Sequence, residues 1–242
     1  MKKILYISYD SINDPISESQ ILPVLKSLSK SYQVHLISFE KTILKKKIKF
    51  LSGWDKIQYR KSILGKIYTF ILCFFNIYFL LKRKDIKIVH CRSYIPGIIV
   101  WFVKKIIPIK YIFDIRGFWF DEKKDAKLIS IFSYKILKSF EKVLFNDAEC
   151  IVTLSKRSIP YINKVLKSNK NKVHFVNCFT DTIKFRKSLN SIKNKVIFGY
   201  VGNVSLSYNF GKVLDFLKIY NNINPNWNFL FVNNYLKLKD KK

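Results

Sequence analysis

Tyr111-Ile-Phe-Asp-Ile-Arg-Gly-Phe-Trp-Phe-Asp-Glu122 is the stretch on which the reading of this chain turns. Its first half is β-branched and aromatic, the composition of a buried strand. Its second half gathers Asp114, Arg116, Asp121 and Glu122 about Gly117 and Trp119. In open parallel sheets, ligands bind at the carboxyl ends of the strands, and this charge falls at such an end. A second edge of the same kind lies upstream in Ile86-Lys-Ile-Val-His-Cys-Arg-Ser-Tyr-Ile-Pro-Gly97, where a short strand runs into His90, Arg92, Ser93 and Tyr94. One polar edge alone is equally well a solvated loop held by Arg–Asp contacts. Two of them, separated by a single helix, point to a site. His90 beside Arg92 can bind a hydroxyl or accept its proton, the alternative being a hydrogen-bonded structural histidine.

Working outward, the pattern alternates strand and helix. Strands are expected at Lys3–Tyr9, Gln33–Phe39, Ile86–His90, Lys110–Ile115, Cys150–Leu154 and Lys172–Val176. Between them, helices are expected from about Ser17, over the lysine-rich stretch Lys45–Leu51, over residues 63–83, over Pro96–Lys105, over Lys127–Phe145 and after Ser155. This order predicts an α/β fold, a Rossmann-like doubly wound parallel sheet with helices on both faces. A first domain then occupies residues 1–187, and the polar segment 188–195 reads as a linker. Strand Val196–Val201, helix Asn209–Asn221 and strand Trp227–Val232 form the first βαβ of a second such domain within 196–242. His35 and His174 sit in apolar strands and read as packing, and Glu141 reads as a surface salt bridge.

Composition narrows the function classes. Lys and Arg number 45 against 16 Asp and Glu, a formal net charge of +29, which favours anionic partners. Lysine is enriched along the whole chain with Ile, Asn and Phe, so nucleic acid is the least favoured of those partners. Apolar residues make up 49% of the chain, enough to bury a substantial core. Cys73, Cys91, Cys150 and Cys178 form no C-x-x-C pair, which fits a reducing compartment. No secretory leader is read at Met1–Tyr9. Ile67–Leu81 is an apolar run of 15 residues, short of the roughly 20 of a membrane span, and reads as buried core. A cytoplasmic chain is expected, attached peripherally at the inner face of the plasma membrane through Lys45–Lys49, the apolar helix over residues 63–83 and its flanking Lys82–Lys84. Asp10–Ser19 lacks G-x-G-x-x-G, and G-K-[ST] and D-x-D are absent throughout, which argues against nicotinamide enzymes, P-loop NTPases and a metal-dependent mechanism.

Several strings in order resemble glycosyltransferase family 4, whose members have the GT-B fold. They are Ile4–Asp10, Asp14-Pro15 with Ser19–Pro23, Val89–Pro96, Phe113-Asp-Ile-Arg-Gly-Phe-Trp119, Glu141-Lys, Ile151–Ser155 and Tyr200-Val-Gly202. The resemblance spans the chain and implies an amino-terminal acceptor-binding domain followed by a truncated donor-binding domain. It implies a retaining, metal-independent sugar transfer from a nucleotide-sugar co-substrate, with no further cofactor, to a glycan or lipid-linked acceptor in polysaccharide biosynthesis. It places Asp114, Arg116 and Glu122 in catalytic positions, and His90, Arg92, Ser93, Tyr94 and Trp119 against the acceptor. Asp14, Ser17, Gln20, Gly202 and Asn203 would approach the donor. Three departures stand out: Ser17 and Glu18 replace the glycine of the first loop, Arg116 replaces a common histidine, and the loop after Gly202 lacks Arg and Lys. The family's paired glutamates would lie beyond Lys242, so the isolated chain is expected to be inactive. The alternative is a non-catalytic acceptor-binding or membrane-docking half, completed by a separate polypeptide.

Overall fold

The computed structural model describes residues 1–42, 47–60, 62–167, 172–178, 196–202, 204 and 210–232. The chain divides into two compact units, residues 1–124 with 129–180, and residues 125–128 with 181–242. In the first unit a seven-stranded sheet has the order β3-β2-β1-β4-β5-β6-β7 with every pairing parallel. Its strands are β1 (Lys3–Ser8), β2 (Gln33–Glu40), β3 (Gly53–Gln58), β4 (Ile88–Arg92), β5 (Lys110–Ile115), β6 (Cys150–Thr153) and β7 (Val173–Phe175). The order reverses between β1 and β4, and an open sheet of this kind has its crevice there.

Alternation along β1 shows why both faces are covered. Leu5 and Ile7 enter a large core cluster with Val89, Cys91, Tyr111 and Phe113. Tyr6 points to the other face, in a smaller cluster with Ile21, Leu25, Val34 and Leu36. The large cluster is sealed by α2 (Ile63–Lys84), α3 (Tyr94–Lys104) and α5 (Ile131–Asp147). The small one is sealed by α1 (Leu22–Leu28) and the π-helical turn Ser17–Ile21 that precedes it.

Four expectations need correction. β3 falls where no strand is expected, because Ile57 is its one buried residue. It is an edge strand whose Asp55 and Lys56 protect the open edge, so it lacks an apolar signature. The lysine-rich segment is not a helix over residues 47–50, where Ile48 and Phe50 pack on the small cluster between exposed lysines; residues 43–46 lie outside the described residues. The helix expected over Lys127–Phe145 is α5, which starts only at Ile131 because Lys127 takes a left-handed φ of 54° and the Ser130 hydroxyl caps the first turn by accepting from Ser133 N, and a further short helix, α4 (Trp119–Asp125), precedes it where none is expected. Finally, α2 is not buried on all faces; Thr69, Cys73, Ile77 and Leu81 form its inner stripe, and its other side is exposed.

The remaining helix of the first unit is α6 (Ser158–Val165). In the second unit β8 (Val196–Val201) pairs in parallel with β9 (Trp227–Val232), joined by α7 (Phe210–Ile223). Phe198 packs edge-on against Phe216, Tyr220 and Trp227, while Val201, Leu230 and Val232 stay exposed. The 188–195 segment lies outside the described residues.

Candidate functional site

The carboxyl ends of β1, β4 and β5 meet at the switch point, and their polar residues form one connected cluster. Asp114, one residue before the end of β5, has only 4% of its surface exposed. His90 Nε2 lies 3.2 Å from Asp114 Oδ2, and Arg116 donates from Nη1 to Oδ1 at 3.4 Å. Arg92 is itself buried, at 4.0 Å from Asp114 Oδ2, and donates from Nε to Asp10 Oδ2 at 3.2 Å. Gln20 closes the ring, its Oε1 accepting from Arg92 at 3.0 Å and from Arg116 at 2.7 Å. Tyr6 stacks on the His90 imidazole with centroids 4.5 Å apart. Tyr6, Gln20, His90, Arg92, Asp114 and Arg116 line a cavity of about 180 Å³, with Cys178 on its rim 3.5 Å from Arg116.

Electrostatics give the cluster its chemistry. Burial alone would push the Asp114 carboxyl up. The His90 hydrogen bond and the charges of His90, Arg116 and Arg92 outweigh burial and hold it below its ordinary value. Asp114 is therefore a carboxylate fixed in the cavity wall, able to accept from a hydroxyl. Arg116 cannot serve as a base, since guanidinium does not deprotonate in proteins. Its Nε is buried with no protein acceptor, leaving a charged donor available to a ligand oxygen. Burial, and then the Asp114 charge, raise the Tyr6 phenol, so Tyr6 stays neutral beside the imidazole. Among the described residues, no three His, Cys, Asp or Glu side chains converge as metal ligands.

Of the residues singled out from the sequence, His90, Arg92, Asp114, Arg116 and Gln20 come together. Gln20, expected near a donor, is bonded to the two arginines expected near an acceptor and near the reaction. Ser93 adjoins the cluster by its backbone, its N–H donating to Asp114 O at 2.9 Å, and it holds a left-handed φ of 74°. Tyr94 lies apart: it is wholly buried, and its hydroxyl donates to Glu141 Oε2 at 2.7 Å. It belongs to the core rather than to a binding surface. Glu141 is likewise buried, not a surface ion pair, and also accepts from Lys138. Trp119 starts α4 and stacks on Tyr94 at 6.3 Å, and Glu122 is exposed on α4; neither lines the cavity. Asp14 pairs with Lys41 at 2.7 Å, and Ser17 is buried with its hydroxyl unpartnered. Gly202 lies in the second unit, donating to Val232 O, and Asn203 is outside the described residues.

Asp10, Tyr6 and Glu40 were not picked out from the sequence. Asp10 follows β1 as Arg92 ends β4, so the same strand-end rule finds it once β1 is placed at the switch point. Glu40 is buried at the end of β2 and accepts from Ser11 Oγ at 2.5 Å, Ile12 N at 3.1 Å and Ser38 Oγ at 2.5 Å. It anchors the β1 loop that carries Asp10.

No family model and no curated protein matches the chain. Solved structures do. The sucrose-phosphate synthase from Thermosynechococcus elongatus aligns with a TM-score of 0.68 at 8% identity, over 96% of this chain and 71% of that one. Anabaena HepE, solved with UDP-glucose, aligns at 0.61 and 9% identity over 96% and 70%. The chain has the GT-B fold. A putative UDP-N-acetylglucosamine 2-epimerase from Listeria monocytogenes aligns too, at 0.59 and 10% identity over 96% and 62%. At these identities the likeness is one of architecture alone.

Proposed function

We propose that this chain is a glycosyltransferase that passes a sugar from a nucleotide sugar to a lipid-linked or polysaccharide acceptor, retaining configuration and using no metal. In this reading residues 1–187 receive the acceptor and residues from 196 begin the donor-binding domain. The observation that carries it is the Asp114 carboxylate, held ionised at the switch point between His90 and two arginines that share Gln20. Sugar transfer needs a hydroxyl oriented by an acceptor of its proton and cations for the charge that builds on the departing diphosphate. Asp114 with His90 supplies the first, and Arg116 with its free Nε, together with Arg92, supplies the second. The names of the GT-B neighbours support a nucleotide sugar as donor.

An apolar cavity of about 290 Å³ at the same sheet edge supports the lipid-linked acceptor. Tyr9, Phe39, Tyr59, Phe70, Ile95 and Ile99 line it, with Lys66 among them, a combination that suits a hydrocarbon chain with an anionic head. The test is transfer of labelled sugar from a panel of UDP-, GDP- and TDP-sugars to polyprenyl-diphosphate-linked and polysaccharide precursors. Label in the acceptor once a polypeptide supplying the rest of the donor-binding domain is added, lost on Asp114→Asn in a folded variant, is the expected result. An epimerised donor with no labelled acceptor, or transfer that survives both Asp114→Asn and Arg116→Ala, refutes the reading.

A further inference from the structure

Helix α2 carries two apolar stripes, and the fold uses one. Thr69, Cys73, Ile77 and Leu81 recur every fourth residue and are buried on the sheet. On the opposite side Leu64, Ile67, Ile71, Leu72, Phe75 and Phe79 follow helical spacing and are between 41% and 81% exposed. That outer stripe runs about 22 Å at helical rise. α3 widens it, with Phe102 edge-on to Phe70 at 6.0 Å and Ile106 exposed beyond. A contiguous apolar surface of this kind marks an interaction site.

Cations ring the stripe. The Arg60 guanidinium sits 4.5 Å from the Tyr68 ring centroid, Lys82 lies 4.8 Å over Tyr78, and Arg83 lies 5.5 Å from Phe79. Lys66 and Lys123, the latter 4.0 Å over Trp119, add positive charge near the amino-terminal half. Residues 63–84 contain no Asp or Glu. A second copy of this chain docking here about a two-fold axis would bring like charges together. An anionic bilayer meets both features at once: the aromatic and aliphatic side chains enter the acyl boundary while the Lys and Arg heads reach lipid phosphates.

We propose that the outer face of α2 docks on an anionic membrane surface, with the helix lying in the plane of the interface. α2 is long and apolar enough to cross a membrane by length and composition, yet its inner stripe is packed on the sheet, which orients it along the surface instead. Docking on this face brings the cavity lined by Lys66, Ile67 and Phe70 to the headgroup level. The proposal goes beyond the sugar-transfer reading and stands without it.

The test is flotation of the full chain with phosphatidylcholine vesicles, with and without phosphatidylglycerol. Capture by the anionic vesicles is expected, weakening with salt. Ile71→Glu combined with Phe75→Glu replaces two exposed side chains, so circular dichroism and melting should stay as in the parent, while partition falls about tenfold or more. Lys82→Gln with Arg83→Gln should weaken capture and flatten its salt dependence. Failure of the parent chain to float, or a glutamate pair that floats like the parent, overturns the proposal. So does a dimer that the glutamate pair splits into monomers without any vesicle capture.

Discussion

Tyr94→Phe removes one buried hydroxyl and nothing else, so its cost can be worked from the structure. The Tyr94 hydroxyl donates to Glu141 Oε2 at 2.7 Å with both residues essentially inaccessible to water. Glu141 also accepts from Lys138, which in turn reaches Asp121 at 2.8 Å. A hydrogen bond to a charged group contributes about 1.5–3 kcal/mol, and for a chain of this size each kcal/mol moves the melting midpoint by about 2–4 °C. Tyr94→Phe should therefore lower the midpoint by about 3–12 °C. Glu141→Leu should cost more, about 3 kcal/mol, because it strands the buried Tyr94 hydroxyl while Lys138 keeps Asp121. In the double variant nothing is stranded, so the effects should fall short of additive by about 1.5–3 kcal/mol. Urea midpoints of the four proteins give that coupling. A coupling below about 0.5 kcal/mol would refute the assignment of a charge-assisted bond. The bond matters to the site because Tyr94 opens α3 two residues after Arg92, so Glu141 pins the turn that presents the arginine.

Three other predictions follow the same physics. Arg116→Ala should weaken binding of a polyprenyl-phosphate sugar by more than about tenfold in isothermal titration, and Arg116→Lys should recover little, because lysine lacks the planar fork that spans Asp114 and Gln20; affinity unchanged in both would remove Arg116 from the site. Asp114 has a depressed carboxyl, so its stabilisation is fully present above its unfolded value near pH 4 and is lost as pH falls through the lower folded value. The gap in urea midpoint between the parent and Asp114→Asn should accordingly be constant near neutrality and close below about pH 4; a gap that widens in acid would contradict the charge cluster. Gly53→Ala should destabilise by about 1–3 kcal/mol, since an added Cβ would stand 2.3 Å from the His35 ring, which is bonded to Asp55 at 2.9 Å; a neutral outcome would mean that the ring moves freely.

Strands β1, β2, β4 and β5 were legible in the sequence because a central parallel strand is buried on both faces and must be a continuous apolar run. The polar ends of β4 and β5 were legible for the complementary reason: His90, Arg92, Asp114 and Arg116 interrupt that run at the edge where a sheet opens to ligands. β3 escaped because an edge strand gains little from apolar residues and is protected by charge. α4 escaped because its seven residues are mostly charged, and α5 starts later than its apolar pattern suggests because Lys127 takes a left-handed φ and Ser130 caps the first turn.

Which of these residues meet is settled by tertiary packing alone. Gln20 joins Arg92 and Arg116 across 72 and 96 residues of sequence, and Asp10 joins Arg92 across 82. No local pattern encodes those distances; the order of strands does, by bringing the ends of β1, β4 and β5 to one point. Burial is decided in the same way. Glu141 sits in a helix whose neighbours allow a surface position, yet α5 packs it against Tyr94. In α2 the periodicity is apolar all round, so the sequence sets that the helix is hydrophobic and the sheet decides which side it covers. The side left outside follows from packing, because one sheet face can seal only one stripe of a helix.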